Sequence, residues 1–318
     1  MNKSTLGNQT VLQAIGNTPI VKLSKVPAPN SADVYVKLEY YNPTGSYKDR
    51  MALAIIEEAE RRGSLRPGMT VIECTGGSTG SSLALVCAVK GYRFHVVSSN
   101  AFSKEKLQTM RAFGATLELV HSPSGMITPD LIPSMMRRAE ELAKAKDTYN
   151  SNQFYNRDSL VGYENIGKEL LVQLPQGVDA FCGGVGIAGM LMGTARALRR
   201  ARPSTRIIAL EPASAAIIST GKPGTHHVEG LGVGFIPPLL DKALYDEAWG
   251  IEESEARTMC RRLAREEGIF AGTSTGVNVV GALRLASQLG QDHTVATVAV
   301  DTGLKYLDGD LYRIDGEE

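Results

Sequence analysis

The chain has 318 residues, 43% of them apolar and 21% charged, enough for one large or two ordinary domains with a sizeable core. Lys+Arg and Asp+Glu balance at 34 each, which argues against nucleic acid or an acidic membrane as partner, because both demand a basic excess. The opening MNKSTLGNQT lacks the apolar core of a signal peptide, and the longest uncharged apolar run, 180–195, is short of membrane length and holds five glycines, so the chain reads as soluble and cytosolic.

In chain order, the first strong signal is YNPTGSYKDRMALAII, residues 41–56. Lys48 sits in a turn-forming run directly ahead of a strong helix, an unusual place for a cation that ordinarily lies on a solvated surface. Next come a β-branched strand TVIEC (70–74), a glycine-rich turn and the helical SSLALVCAVKG. FHVVSS reads as a strand, SKEKLQTMRAFG as a helix and TLELV as another strand. Ser103 is the expected N-cap of that helix, with Glu105 in its first turn; Lys106 rules out the reciprocal capping box, and Gly114 is the expected stop. A break at HSPSGMITPDLIP is followed by the surface helix RRAEELAKAKD. From Val178 the rhythm restarts with VDAFCGGVG (strand and turn), MLMGTARALRRA (helix) and RIIALEP (strand). A looser stretch, 221–240, precedes a helix around 253–267 and the final strand TVATVAV. The alternation predicts an α/β protein with two open, mostly parallel twisted sheets flanked by helices, the units meeting near residue 150.

Cys74, Cys87, Cys182 and Cys260 are widely spaced with no CxxC pair, and the five histidines form no ligand set. Buried free thiols and no metal are expected.

Three glycine loops stand at strand-to-helix junctions: TGGSTG (75–80), GVGIAG (184–189) and GTSTG (272–276). Free N–H groups and the helix dipole make each a fit for a carboxylate or phosphate, and ligands of open α/β sheets sit at such strand ends. Gly184, Gly186 and Gly189 also fit GxGxxG, with Glu211 near the spacing of a ribose-binding acid, which makes an NAD-dependent oxidoreductase the rival. That rival leaves Lys48 and two loops unexplained. An amine beside a phosphate cradle suggests pyridoxal 5'-phosphate: lysine forms a Schiff base with its aldehyde, and the ring acts as an electron sink. The loops then divide into one for the cofactor phosphate, one for the substrate carboxylate and one for the ring.

NPTGSYKDR resembles the lysine motif of the cysteine synthase and cystathionine β-synthase family, pyridoxal phosphate enzymes of fold type II with a tryptophan synthase β-like fold. The resemblance runs through IGNTPIVKL, RPGMTVIECTGGSTGSSLA, SKEKLQTMRAFGA, NQF, VEGLGVGFIP and DTGLKYL, in that order. It implies that Lys48 carries the cofactor and acts as base, that Gly186, Ile187, Ala188, Gly189 and Met190 hold the phosphate, and that Ser274 faces the pyridine nitrogen. It implies that Thr75, Gly76, Ser78, Thr79 and Gln153 bind the substrate carboxylate, with Ser78 also touching the cofactor, and that Gly230 lies on the substrate's amino and leaving-group side. Asn42 and Asp49 are expected to support the turn. Asp301 and Tyr306 fit the late strand-and-turn motif, while Tyr47, Trp249 and Cys74 get packing roles, Tyr47 with an equal claim to shaping the pocket.

The chain departs from the family at two loops. Where the family reads TSGNTG, Gly76 replaces the serine and Ser78 the asparagine that contacts the ring oxygen. Where the family reads GTGGT, Ile187 and Met190 replace threonines and Ala188 a glycine, so phosphate binding leans on backbone N–H groups, with the Thr194 hydroxyl a substitute.

The reaction implied is β-replacement on an activated L-serine such as O-acetylserine, through an aminoacrylate, with sulfide or another small nucleophile adding to give cysteine or an analogue. O-Phosphoserine ranks lower as substrate, since GKPGTHHVEGLG offers only Lys222 and two histidines as cations. The alternatives are a serine/threonine deaminase-type lyase, the NAD-dependent oxidoreductase, and a regulatory relative that keeps the cofactor without turnover. The resemblance further implies a cytoplasmic homodimer, a smaller, mobile substrate-binding domain at 43–150, and a larger cofactor-binding domain of 1–42 plus 151–318.

Overall fold

The computed structural model describes residues 10–126 and 130–313. The chain's opening nine residues, part of the HSPSGMITPDLIP break and the last five residues lie outside these.

Ten strands are present among the described residues: β1 (Ile20–Lys22), β2 (Asp33–Leu38), β3 (Thr70–Cys74), β4 (Arg93–Ser99), β5 (Thr116–Val120), β6 (Thr148–Asn150), β7 (Ala180–Gly184), β8 (Arg206–Pro212), β9 (Glu247–Ile251) and β10 (Thr294–Ala299). The helices are α1 (Lys48–Arg61), α2 (Ser78–Lys90), α3 (Lys104–Ala112), α4 (Leu131–Leu142), α5 (Asp158–Gln173), α6 (Gly189–Ala201), α7 (Ile217–Thr220), α8 (Glu253–Arg262) and α9 (Thr273–Leu289). The chain divides into two compact units, residues 1–16 with 42–162 and residues 17–41 with 163–318.

In the first unit the sheet order is β5-β4-β3-β6, parallel throughout. Its core packs Val71, Phe94 and Val96 of the sheet against Ala52, Ile56 and Ala59 of α1 and Leu83, Val86 and Cys87 of α2. The strands are short and β-branched, as buried parallel strands are. Ser103 caps α3 by accepting the Lys106 N–H, and Gly114 takes the left-handed turn (φ 86°) that ends it. The surface helix α4 begins earlier than its charged run and stops at Leu142, ahead of AKAKD.

In the second unit the order is β1-β2-β10-β7-β8-β9, with only the β1–β2 pair antiparallel. Its core joins Val34, Val36, Ile208, Leu210, Val295 and Ala299 of the sheet to Val277, Val280 and Leu285 of α9. α8 continues into a π-helical turn over Leu263–Glu267, which Gly268 ends at φ 70°. Lys37 is fully buried on β2: its Nζ pairs with Glu169 (2.7 Å) and donates to the Thr18 carbonyl and the Gln173 side chain. A buried lysine so partnered is structural. All four cysteines are buried free thiols, and burial pushes Cys87, Cys182 and Cys260 up to about 12 and Cys74 higher still.

Candidate active site

Within the first unit, Lys48 opens α1 from a turn tied down on several sides. The Gly45 N–H donates to the Asn42 carbonyl (2.7 Å) at φ 69°, and the Asn42 side chain accepts the Gly16 N–H (2.8 Å). Asp49 accepts both the N–H (2.8 Å) and the hydroxyl (2.6 Å) of Thr44, and Thr44 in turn reaches Ser82 on α2 (3.2 Å). Asn42 and Asp49 therefore do shape the turn. The Lys48 amine lies 5.0 Å from the centre of the Tyr47 ring, a cation–π distance, and Tyr47 itself is buried.

The loop 75–80 follows β3 and leads into α2, whose N-cap is Gly77 with no side-chain cap. The first N–H groups of α2 thus carry the helix's partial positive charge toward the loop. Gln153 joins this loop directly: its side chain accepts the Thr79 hydroxyl (2.8 Å) and donates to the Cys74 carbonyl (3.2 Å). Thr75, Gly76, Ser78, Thr79 and Gln153 are thus gathered at the carboxyl end of one strand. Behind them stands Glu73, a residue that sequence reasoning passed over. Its carboxyl accepts the N–H groups of Cys74 (2.9 Å) and Gln153 (3.0 Å) and the Ser151 hydroxyl (2.8 Å). Burial pushes it up to about 7, against the pull of those hydrogen bonds. An acid as the penultimate residue of an apolar strand was the signal available in TVIEC.

Within the second unit, Gly186, Ile187, Ala188, Gly189 and Met190 lie between β7 and α6. α6 begins buried with no side-chain cap, so its leading N–H groups have no intrahelical acceptor. Ala188 is held left-handed at φ 66°, a strained state for a residue with a Cβ. A Cβ added at Gly186 would lie 2.1 Å from the Gly230 carbonyl oxygen, so the 184–189 loop and the Gly230 segment touch backbone to backbone. Asn278 fixes the strand end: its side chain accepts the Gly184 N–H (2.7 Å) and donates to the Val298 carbonyl (2.9 Å). Ser274 lies one turn earlier on α9, on the same face. Asn278 is the other residue the sequence reading missed; a lone amide in the apolar run after GTSTG pointed to it.

The Thr194 hydroxyl donates toward the Met190 sulfur (3.9 Å) within α6. Glu211 is buried, and its two carboxylate oxygens accept the N–H groups of Ile218 and Ser219 at the start of α7 (2.8 Å each), which engages the acid that the NAD reading needed for a ribose. His226 clasps its own loop, accepting the Val228 N–H at Nδ1 and donating from Nε2 to the Gly232 carbonyl (3.1 Å each). Tyr306 donates to Asp301 (2.9 Å) and is pushed well above its usual range by burial, and together they wall Gly272, two residues from Ser274. Trp249 packs against the core, donates to Glu247 and lies 5.6 Å from the Arg206 guanidinium.

The family described as pyridoxal-phosphate dependent enzyme matches residues 11–301. A cysteine synthase of Staphylococcus aureus is 42% identical over 307 residues, covering 96% of this chain and 97% of the relative. An O-ureido-L-serine synthase of Streptomyces lavendulae is 39% identical, covering 95% and 92%. The crystal structure of a cysteine synthase from Entamoeba histolytica superimposes with a TM-score of 0.91 at 31% identity, over 100% of this chain and 94% of that one.

Proposed function

The chain belongs to the family of pyridoxal-phosphate dependent enzymes, and from that premise we propose that it replaces the β-substituent of an O-acylated L-serine, O-acetylserine or a close analogue, with sulfide or another small nucleophile. The observation that carries the reading is the buried, uncapped start of α6. Its glycine approach at Gly186 leaves no room for a side chain, and its unpaired N–H groups fit a phosphate dianion. The residues present therefore fit the cofactor. Glu211, the residue a nicotinamide site would need, is engaged elsewhere.

Gly186, Ile187, Ala188, Gly189 and Met190 would hold the phosphate through backbone N–H groups. Ser274 would meet the ring nitrogen with a neutral hydroxyl, Ser78 would stand toward the ring oxygen, and Lys48 would hold the aldehyde carbon. Pyridoxal phosphate, when bound, draws electrons from the α-carbon of an amino acid and so eases loss of its β-substituent. Lys48 Nζ takes and returns the α-proton, a task for which its turn-held backbone fixes one approach. Thr75, Gly76, Ser78, Thr79 and Gln153 receive the substrate carboxylate at the positive end of α2, with Gly230 on the leaving-group side. The first unit, which contains residues 43–150 and Gln153, is proposed as the smaller substrate-binding domain, and the second unit as the larger cofactor-binding one. The enzyme is proposed to act as a cytoplasmic homodimer.

The test is the visible spectrum of the purified protein before and after O-acetylserine, then after sulfide. A yellow protein whose band shifts with O-acetylserine and returns with sulfide, releasing cysteine, supports the proposal. Lys48→Ala should lose the starting band. A protein that cannot be loaded with pyridoxal phosphate overturns the reading; a loaded one that ignores O-acetylserine overturns the substrate.

A further inference from the structure

At Gly76 the backbone is covered by one side chain of its own unit. A Cβ built there would fall 2.0, 2.1 and 2.2 Å from Cγ, Cδ2 and Cδ1 of Phe102. Near-equal distances to three ring carbons mean that the face of the ring lies flat on the Gly76 Cα. Ordinary contact needs about 3.4 Å or more, so any side chain at 76 would have to displace the ring by over about 1 Å. One residue on, at Gly77, an added Cβ meets nothing within 4 Å. The loop is thus roofed at 76 and open at 77.

The roof is firmly held. Phe102 follows β4 by a turn in which its N–H donates to the Ser99 carbonyl (3.3 Å) and the Ala101 N–H to the Ser99 hydroxyl (3.2 Å). Asn100 clasps Ser122 with two hydrogen bonds (2.7 and 2.9 Å), and Ser103, the next residue, caps α3. The Thr75 N–H also donates to Val97 on β4 (3.0 Å), so roof and loop hang from the same strand.

We propose that Phe102 is a substrate-positioning residue, whose ring dries one flank of the carboxylate-binding loop and confines the amino-acid carboxylate to the open Gly77 side, at the N-terminus of α2. Removing water from that flank strengthens the attraction between the carboxylate and the helix N–H groups, because the local dielectric falls. The ring takes the volume that a side chain at 76 would need, so glycine at 76 and phenylalanine at 102 act as a pair. The kinetic part of this inference rests on the proposed β-replacement; the pairing does not.

A double-mutant cycle tests it, using Gly76→Ser, Phe102→Ala and the combination, all loaded with cofactor. Thermal melting is the first readout. Gly76→Ser should lower the melting temperature in the native background and have little effect beside Phe102→Ala. Equal effects in both backgrounds would overturn the pairing. The second readout is amino-acid binding by spectral titration together with steady-state kinetics. Phe102→Ala should raise the dissociation constant and KM for O-acetylserine roughly tenfold, with kcat changing much less, and Phe102→Leu should recover part of the loss. Unchanged KM, or a fall confined to kcat, would overturn the positioning role. Failure of the native protein to respond to O-acetylserine would instead count against the proposed reaction and leave the melting cycle intact.

Discussion

Raising the pH from about 5 to about 8 should weaken the fold through Glu73, and Glu73→Gln should abolish that part of the response. Glu73 is 1% exposed, and burial lifts its carboxyl from 4.5 to about 7. Between those values the folded chain keeps a proton that the unfolded chain has released. Stability contributed by the group is thus fully present below about pH 4.5 and is lost as pH rises through about 7. A displacement of one pH unit corresponds to about 1.4 kcal/mol, so the loss is on the order of 3 kcal/mol by pH 8. The geometry accommodates the neutral acid: a proton on Glu73 can be donated to the Ser151 hydroxyl, which then turns its own hydrogen to the Ile72 carbonyl (3.0 Å). Carboxylates held low by arginines, such as Glu118 beside Arg138 and Asp310 beside Arg257, change stability below the ordinary carboxylate range, outside this window. Urea unfolding of native and variant chains at about pH 5, 6, 7 and 8 isolates Glu73 as the difference between the two curves. The native protein should lose roughly 2.5 kcal/mol relative to Glu73→Gln across the series. A difference that stays flat would refute the assignment of a neutral, buried Glu73.

Gly186→Ala should cut cofactor retention sharply and destabilise the second unit by about 1–3 kcal/mol, because its Cβ meets a backbone oxygen that has no rotamer to escape through; spectral titration with pyridoxal phosphate and thermal melting measure both effects. Asn278→Ala leaves the buried Gly184 N–H and Val298 carbonyl unpaired, and denaturant unfolding should show a loss of about 2–5 kcal/mol.

Much of the candidate site could be read without coordinates because strand–glycine–helix punctuation is local chemistry. TVIEC-TGGSTG and AFCGG-VGIAG each announce a strand end, a turn free of side chains and a helix start, and the structure has β3 then α2, and β7 then α6, at those places. The lysine turn was equally legible, since Asn-Pro and Thr-Gly restrict the backbone before any tertiary contact forms. The ribose reading of Glu211 failed because spacing alone cannot say whether a carboxylate faces a ligand or a neighbouring helix start. The first of these is a cleft and the second a hydrogen-bond partner seven residues on.

The sequence by itself determined the α/β class, the lysine and the three loops, since periodicity, turn chemistry and glycine placement act over a few residues. Only the tertiary structure decided what stands behind and above those loops. Burial lifts the Glu73 carboxyl against the pull of its hydrogen bonds from Ser151 and Gln153, and Gly76 has no room for a side chain because a ring 26 positions away in the chain lies on it. Burial and close approach are properties of packed neighbours, and no local pattern carries them.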